Sequence, residues 1–219
     1  MNRRPDRAKS RSLQLTIATI LASLIAAPAL PIERHVSLPP ASNPAMAADR
    51  TRPPIGWVDF CKRHPAECTT DVAEPAKIML WPARWNEIAT INRRVNARVR
   101  PMPDIEHWGL IESWDFPADD IGDCEDYVLE KRRQLAAAGL PRRALLITVV
   151  LDEANAGHAV LMVRTDRGDF ILDNKRDAIL PWGATGYSFI KRESQRETGW
   201  IAFGGQEANA ATATLSPSN

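Results

Sequence analysis

The stretch Gly122-Asp123-Cys124-Glu125-Asp126-Tyr127 places one cysteine directly ahead of an amphipathic segment. A thiol in the first turn of a helix meets the positive end of the helix dipole, which favours thiolate, the form that attacks carbonyls. Downstream, His158 opens one apolar run and Asp173 closes the next. Cysteine, histidine and aspartate in that order read as a thiol nucleophile, its base and the group that orients the base. Asp152 and Asp169 compete with Asp173 for the last role.

Those residues need elements that bring them together. Apolar spacing predicts a helix from about Cys124 to Ala138, stopped by Gly139-Leu140-Pro141. Three strands are expected after it, over 144–151, 158–163 and 169–173; the first is a continuous apolar run and should be central. Arg164 to Gly168 reads as the turn of a hairpin, and a turn there sets His158 opposite roughly Asp173 to Lys175. Before the nucleophile, Trp85, Ile88, Ile91, Val95 and Val99 predict a helix over 84–100. Residues 101–121 carry three prolines and four aspartates and are expected to be mostly loop, packed onto the core by Trp108, Trp114 and Leu110-Ile111. A further strand is expected within 179–190. The expected class is α+β.

The carboxylates beside Cys124 need their own account. Asp123 and Asp126 form an Asp-x-x-Asp arrangement close to a capping box, and both complement the dipole. Several negative charges beside a thiol nevertheless oppose its ionisation. A bound cation would resolve that conflict, and hard oxygen ligands at Asp123 and Glu125 suit Ca²⁺.

The chain ends set the compartment. Arg3, Arg4, Arg7, Lys9 and Arg11 precede a mostly apolar stretch from Leu13 to Leu30, the pattern of a secretory signal. Ala27-Pro28-Ala29 and Ala45-Met46-Ala47 are the two small-residue cleavage sites; the second is favoured because Pro28 and Pro31 disturb the first. An uncleaved membrane anchor is the alternative, and Gln14, the Ser/Thr content and the prolines weigh against it. The expected organisation is a signal over 1–47, a linker over 48–54, a catalytic domain over 55–203 and a disordered Gly/Ala/Asn-rich tail over 204–219. Residues 1–47 hold 6 of the 28 Lys+Arg and 2 of the 27 Asp+Glu, which leaves 22 basic against 25 acidic residues and no surface suited to nucleic acid. In an oxidising compartment Cys61 and Cys68 can close a short disulfide loop, and odd parity leaves Cys124 free. With export, His64, His107 and His158 remain; the first lies inside that loop and the second in the Pro-rich segment, which favours His158 as the base.

Gly122-Asp123-Cys124-Glu125-Asp126-Tyr127, His158-Ala159-Val160-Leu161 and Ile171-Leu172-Asp173-Asn174 together resemble the bacterial transglutaminase-like cysteine peptidases, and within them the LapG-type periplasmic proteases. The likeness extends to Trp57–Cys68, Asn92 and Asn96, Trp108-Gly109, Trp114, Gly139-Leu140-Pro141, Pro181-Trp182 and Gly186-Tyr187, and covers roughly residues 55–203. It implies a papain-like core with Cys124 as nucleophile, His158 as general base and then acid, and Asp173 as orienter. It also implies Ca²⁺ held by Asp123, Glu125 and Asp126, a periplasmic location, a large surface adhesin as protein substrate and an inner-membrane receptor for cyclic di-GMP as regulator. Transglutamination, cell-wall amide cleavage and a non-catalytic binding module are the competing readings, the last opposed by the intact Cys-His-Asp set.

Overall fold

A computed structural model describes residues 37–47 and 49–203 of the 219-residue chain. The apolar part of the expected signal and the expected tail lie outside the described residues. Among the described residues no helix is long and apolar enough to cross a membrane.

In chain order the elements are β1 (Arg50–Thr51), α1 (Ile55–Arg63), α2 (Pro65–Cys68), α3 (Pro82–Arg98), β2 (Arg100–Pro101), α4 (Asp104–His107), β3 (Ile121–Gly122), α5 (Cys124–Ala137), β4 (Leu145–Leu151), β5 (Gly157–Thr165), β6 (Gly168–Leu172), β7 (Leu180–Pro181), β8 (Ser188–Glu193) and β9 (Trp200–Ala202). Seven strands form one antiparallel sheet in the order β1-β9-β8-β4-β5-β6-β7. The architecture is the expected α+β one. The run LLITVVL becomes β4 in the middle of that sheet, because a strand buried on both faces carries no polar alternation.

α3 begins with Pro82, whose fixed φ suits the first helical position, and buries Ile88, Ile91, Asn92 and Val95. α5 packs on β5 and on α3. It buries Leu129 and Leu135 completely, about 1.5–3 kcal/mol for each side chain removed from water. Its end is the expected one: Gly139 takes φ +83, and the Leu140 N–H returns to the Leu135 carbonyl at 3.1 Å. Arg132 on α5 ties the helix to the sheet through Glu193 of β8 at 2.8 Å. The same carboxylate accepts from Trp57 Nε1 at 2.9 Å and from the Ile147 N–H at 3.0 Å.

Three local expectations are corrected. Residues 179–190 do not form one strand: a turn of 3-10 helix at Trp182–Ala184 separates β7 from β8, and Gly186 reverses the chain at φ +80. Of the residues expected to pack the 101–121 segment onto the core, only Trp114 does so, over Gly56, where any Cβ would collide with its ring. Trp108, Leu110 and Ile111 stay exposed, with Trp108 stacked on His107 at 3.9 Å between ring centroids. The segment before residue 55 is also more than a linker or a discarded signal remnant. Thr51 and Arg50 pair with Trp200 and Ile201 as the edge of the sheet. Residues 37–47 strap the sheet face opposite α5, where Ala45 is buried with Leu146, Val160 and Met162. The strap is fixed by Ser42 N–H to the Arg167 carbonyl at 2.9 Å and Ala45 N–H to Asp169 Oδ2 at 2.8 Å. Cys61 and Cys68 form the expected disulfide, with 5.7 Å between their Cα atoms, and Cys124 is free.

Candidate active site

Cys124 is the first residue of α5 and half-buried. Gly122 precedes it for a steric reason: a Cβ at that position would run into the Asp126 side chain. The thiol donates to Glu125 Oε2 at 3.1 Å and accepts from the Ala159 N–H at 3.4 Å. The sulfur therefore rests against the backbone of β5 one residue from His158. The dipole alone predicted thiolate. Burial, Glu125 and Asp123 instead push the thiol well above its ordinary value, and the Ala159 N–H offsets this only in part.

The β5–β6 hairpin turns at Asp166-Arg167, with Thr165 opposite Gly168 and Leu161 opposite Leu172. Continued past Leu172, that register sets Val160 opposite Asp173 and His158 opposite Lys175, so His158 and Asp173 share a face as diagonal neighbours. Their side chains meet: His158 Nε2 lies 2.9 Å from Asp173 Oδ1, and both residues are buried. Asp173 also accepts from the Lys175 N–H at 3.0 Å and the Tyr187 hydroxyl at 2.5 Å. Arg176 reaches both Tyr187, donating at 2.9 Å, and Asp173 at 3.6 Å. Burial pushes the Asp173 carboxyl up, but the His158 hydrogen bond and charge, Tyr187 and the Lys175 N–H outweigh it and hold the group at about 2. An ionised Asp173 fixes the proton on Nε2, and Nδ1, buried without a hydrogen-bond partner, is left as the ring's basic nitrogen.

The competing residues are engaged elsewhere. Asp152 binds Lys175 Nζ at 2.6 Å, and Asp169 binds Arg164 and the strap. His64 faces Asp115 at 3.3 Å, and His107 faces Asp119 at 2.9 Å. Asn96 on α3 holds the other side of the loop, donating to the Asp173 carbonyl at 2.9 Å.

Around the thiol the acidic groups gather differently from the sequence expectation. The parallel pair β2–β3 sets Arg100 beside Ile121 and Pro101 beside Gly122, and the Met102 N–H bonds the Gly122 carbonyl at 3.1 Å. Asp104 thereby arrives beside Asp123 and Glu125, the neighbours of Cys124. One oxygen each from Asp104, Asp123 and Glu125 lies within 4.8 Å of the others. Asp126 is not part of this group: its Oδ1 accepts the Asp115 N–H at 2.9 Å and secures the preceding loop. Asp123 makes no side-chain capping bond, so the capping-box reading is also replaced. Burial, then Asp123, raises Asp104 to about 7, and burial raises Asp123. Burial followed by Asp123 drives Glu125 and Asp126 well above the carboxylate range. Oδ1 of Asp104 and Oδ1 of Asp123 are buried without a hydrogen-bond partner. Crowded hard oxygens with orphaned acceptors fit a bound divalent cation of the Ca²⁺ type.

A free thiol at a helix start, lying against the strand that carries a buried histidine whose ring meets a carboxylate, is the layout of a thiol hydrolase. The model of the family described as bacterial transglutaminase-like cysteine proteinase BTLCP matches residues 47–208. The chain belongs to this family. Solved structures similar to it include Legionella pneumophila LapG in its calcium-bound form, at 21% identity over 60% of this chain and 76% of that one, with a TM-score of 0.48. EGTA-treated LapG from the same organism matches at 23% identity over 60% and 75%, with a TM-score of 0.47. No curated protein matches the chain.

Within this transglutaminase-like frame, sequence reasoning missed three contributors. Tyr187 was noted only as part of a Gly-Tyr pair, Arg176 not at all, and Asp104 only as one turn-prone aspartate among four. Their spacing from the motifs carries no period, so only the resemblance at Gly186-Tyr187 pointed to any of them.

Proposed function

We propose that this transglutaminase-like cysteine peptidase hydrolyses peptide bonds of a protein substrate with Cys124 as nucleophile, His158 as base and Asp173 as orienter. The observation that carries the reading is the buried His158–Asp173 pair, with His158 on β5 and the next N–H of that strand touching the thiol. His158 takes the Cys124 proton as sulfur attacks the scissile carbonyl, and the C–N bond breaks as the imidazolium returns that proton to the leaving amine. His158 then removes a proton from water, which attacks the thioester and regenerates the thiol with release of the acid. The Cys124 backbone N–H, unpaired at the helix start, is the natural donor to the oxyanion. Asp173 stays ionised throughout and steadies the imidazolium.

Asp104, Asp123 and Glu125 would hold Ca²⁺, on the strength of their gathered oxygens and orphaned acceptors. Bound there, the ion supplies positive charge to carboxylates that otherwise retain the thiol proton. Periplasmic export, which rests on the basic and then apolar N-terminal pattern, and a surface adhesin as substrate with control by a cyclic di-GMP receptor, which rest on the motif resemblance, belong to the same proposal.

The test compares cell-surface protein fractions after incubation with the wild-type chain and with Cys124→Ala. New protein termini should appear with the first alone, and cleavage by a folded Cys124→Ala variant overturns the reading. Incorporation of a primary-amine probe in place of hydrolysis would assign the same site to acyl transfer.

A further inference from the structure

The sheet face opposite α5 carries a cavity of about 690 Å³ whose wall is built from Arg50, Arg164, Arg192 and Arg196, with Met46 of the strap and Ile201 of β9. Two of the four charges are neutralised: Arg50 pairs with Glu197 at 2.5 Å and Arg164 with Asp169 at 3.1 Å. Neither Arg192 nor Arg196 makes a direct ion pair among the described residues; Arg192 feels only the charge of Asp169, which Arg164 already engages. For Arg196, which is exposed, solvent suffices. Arg192 is only 4% exposed. Its guanidinium donates to the Glu193 carbonyl at 3.0 Å and lies 5.9 Å from the centre of the Phe203 ring, while its Nε is buried without an acceptor.

A buried cation whose only counter-charge is a carboxylate shared with a second arginine is costly, and proteins ordinarily supply a further carboxylate or an anion to it. Loss of the proton does not relieve the cost here. Burial and then Arg164, opposed by Asp169, depress Arg192 only to about 10, which leaves it charged at neutral pH. The volume is that of a small-molecule site. Guanidinium forks match the planar and tetrahedral oxygens of carboxylates and phosphates better than any other side chain does.

We propose that this cavity is a binding site for a small multivalent oxyanion, a ligand carrying phosphate or carboxylate groups clamped by Arg192 and Arg196. The site is separate from peptide hydrolysis. Arg164 stands six residues from His158 along β5, a separation of roughly 20 Å at the rise of an extended strand. It therefore holds or drops out independently of the reaction assigned above. Because the strap and β1 form one wall, occupancy would also tighten the N-terminal segment onto the sheet.

Calorimetric titration and thermal unfolding of the full-length chain test the site, with inorganic pyrophosphate and citrate as separate probes and sodium chloride at matched ionic strength as control. Binding of either probe supports the site, and the preferred one assigns phosphate or carboxylate chemistry to the ligand. The unfolding midpoint should rise by about 5–10 °C at a hundredfold excess over Kd. Arg192→Met should weaken binding at least tenfold and leave the rate of peptide cleavage unchanged. Should that variant not fold, Arg196→Gln, on an exposed side chain, should weaken binding severalfold. No binding of either probe beyond the chloride control, or wild-type affinity in the folded variant, overturns the proposal.

Discussion

Tyr187→Phe isolates one hydrogen bond of the His158–Asp173 pair. It removes the hydroxyl that donates to Asp173 Oδ2 at 2.5 Å and leaves the ring, which packs edge-on against His158 at 5.8 Å. Asp173 keeps His158 and the Lys175 N–H, while Arg176, 3.6 Å away, is too far to replace the lost donor fully. A hydrogen bond to a charged group contributes about 1.5–3 kcal/mol, so the variant should lose ~10–100-fold in kcat. The same loss should raise the Asp173 carboxyl from about 2 toward its ordinary 3.8. That shift has a defined sign in stability. A carboxyl whose folded pKa lies below its unfolded one stabilises the fold fully above the unfolded value, and the contribution fades as pH falls through the folded value. In the wild type the gap between 3.8 and about 2 corresponds to roughly 2 kcal/mol, lost over that window. Urea unfolding at pH 7 and pH 3, together with the pH dependence of peptide cleavage and of Cys124 alkylation by iodoacetamide, reads both consequences. Wild-type kcat combined with an unchanged acid-unfolding profile would show that Asp173 does not depend on Tyr187, and the orienting network would have to be redrawn.

Chelation with EGTA should lower the unfolding midpoint or the cleavage rate. Asp104→Asn should remove most of that chelator sensitivity while Asp126→Asn retains it, and the reverse ranking would return the ion to the sequence-based ligand set. Arg132→Met leaves Glu193 buried without its counter-charge and should cost about 3–5 kcal/mol in urea unfolding; a loss below about 1 kcal/mol would mean that Trp57 and Ile147 satisfy that carboxylate unaided.

The elements that present Cys124 and His158 were legible because each is locally encoded. The apolar period and Gly139 bound α5, the unbroken apolar run marks β4, and the turn at 164–168 fixes the hairpin register that faces His158 toward Asp173. Chemistry was legible where residue types are scarce: three cysteines and four histidines leave little choice for a thiol and its base. Asp104, Tyr187 and Arg176 were hidden because aspartate, tyrosine and arginine have many ordinary uses, and nothing local distinguishes these three. The strap was hidden for another reason, since its Pro, Ala and Ser composition is that of a linker until Ala45 finds a partner 124 positions away in Asp169.

Sequence alone determined which sulfur, which imidazole and which carboxylate are available, and the helix and hairpin that carry them, because side-chain type and short-range periodicity are properties of the chain itself. The charge environment of the thiol was decided only by tertiary structure. A helix start read in isolation offers Cys124 a positive dipole; in the fold, burial of the thiol itself and then Glu125 and Asp123 raise it well above its ordinary value, and the β2–β3 pairing carries Asp104 in beside those two carboxylates. Electrostatic energy depends on distance through space and on exclusion of water, and neither is written in the order of the residues.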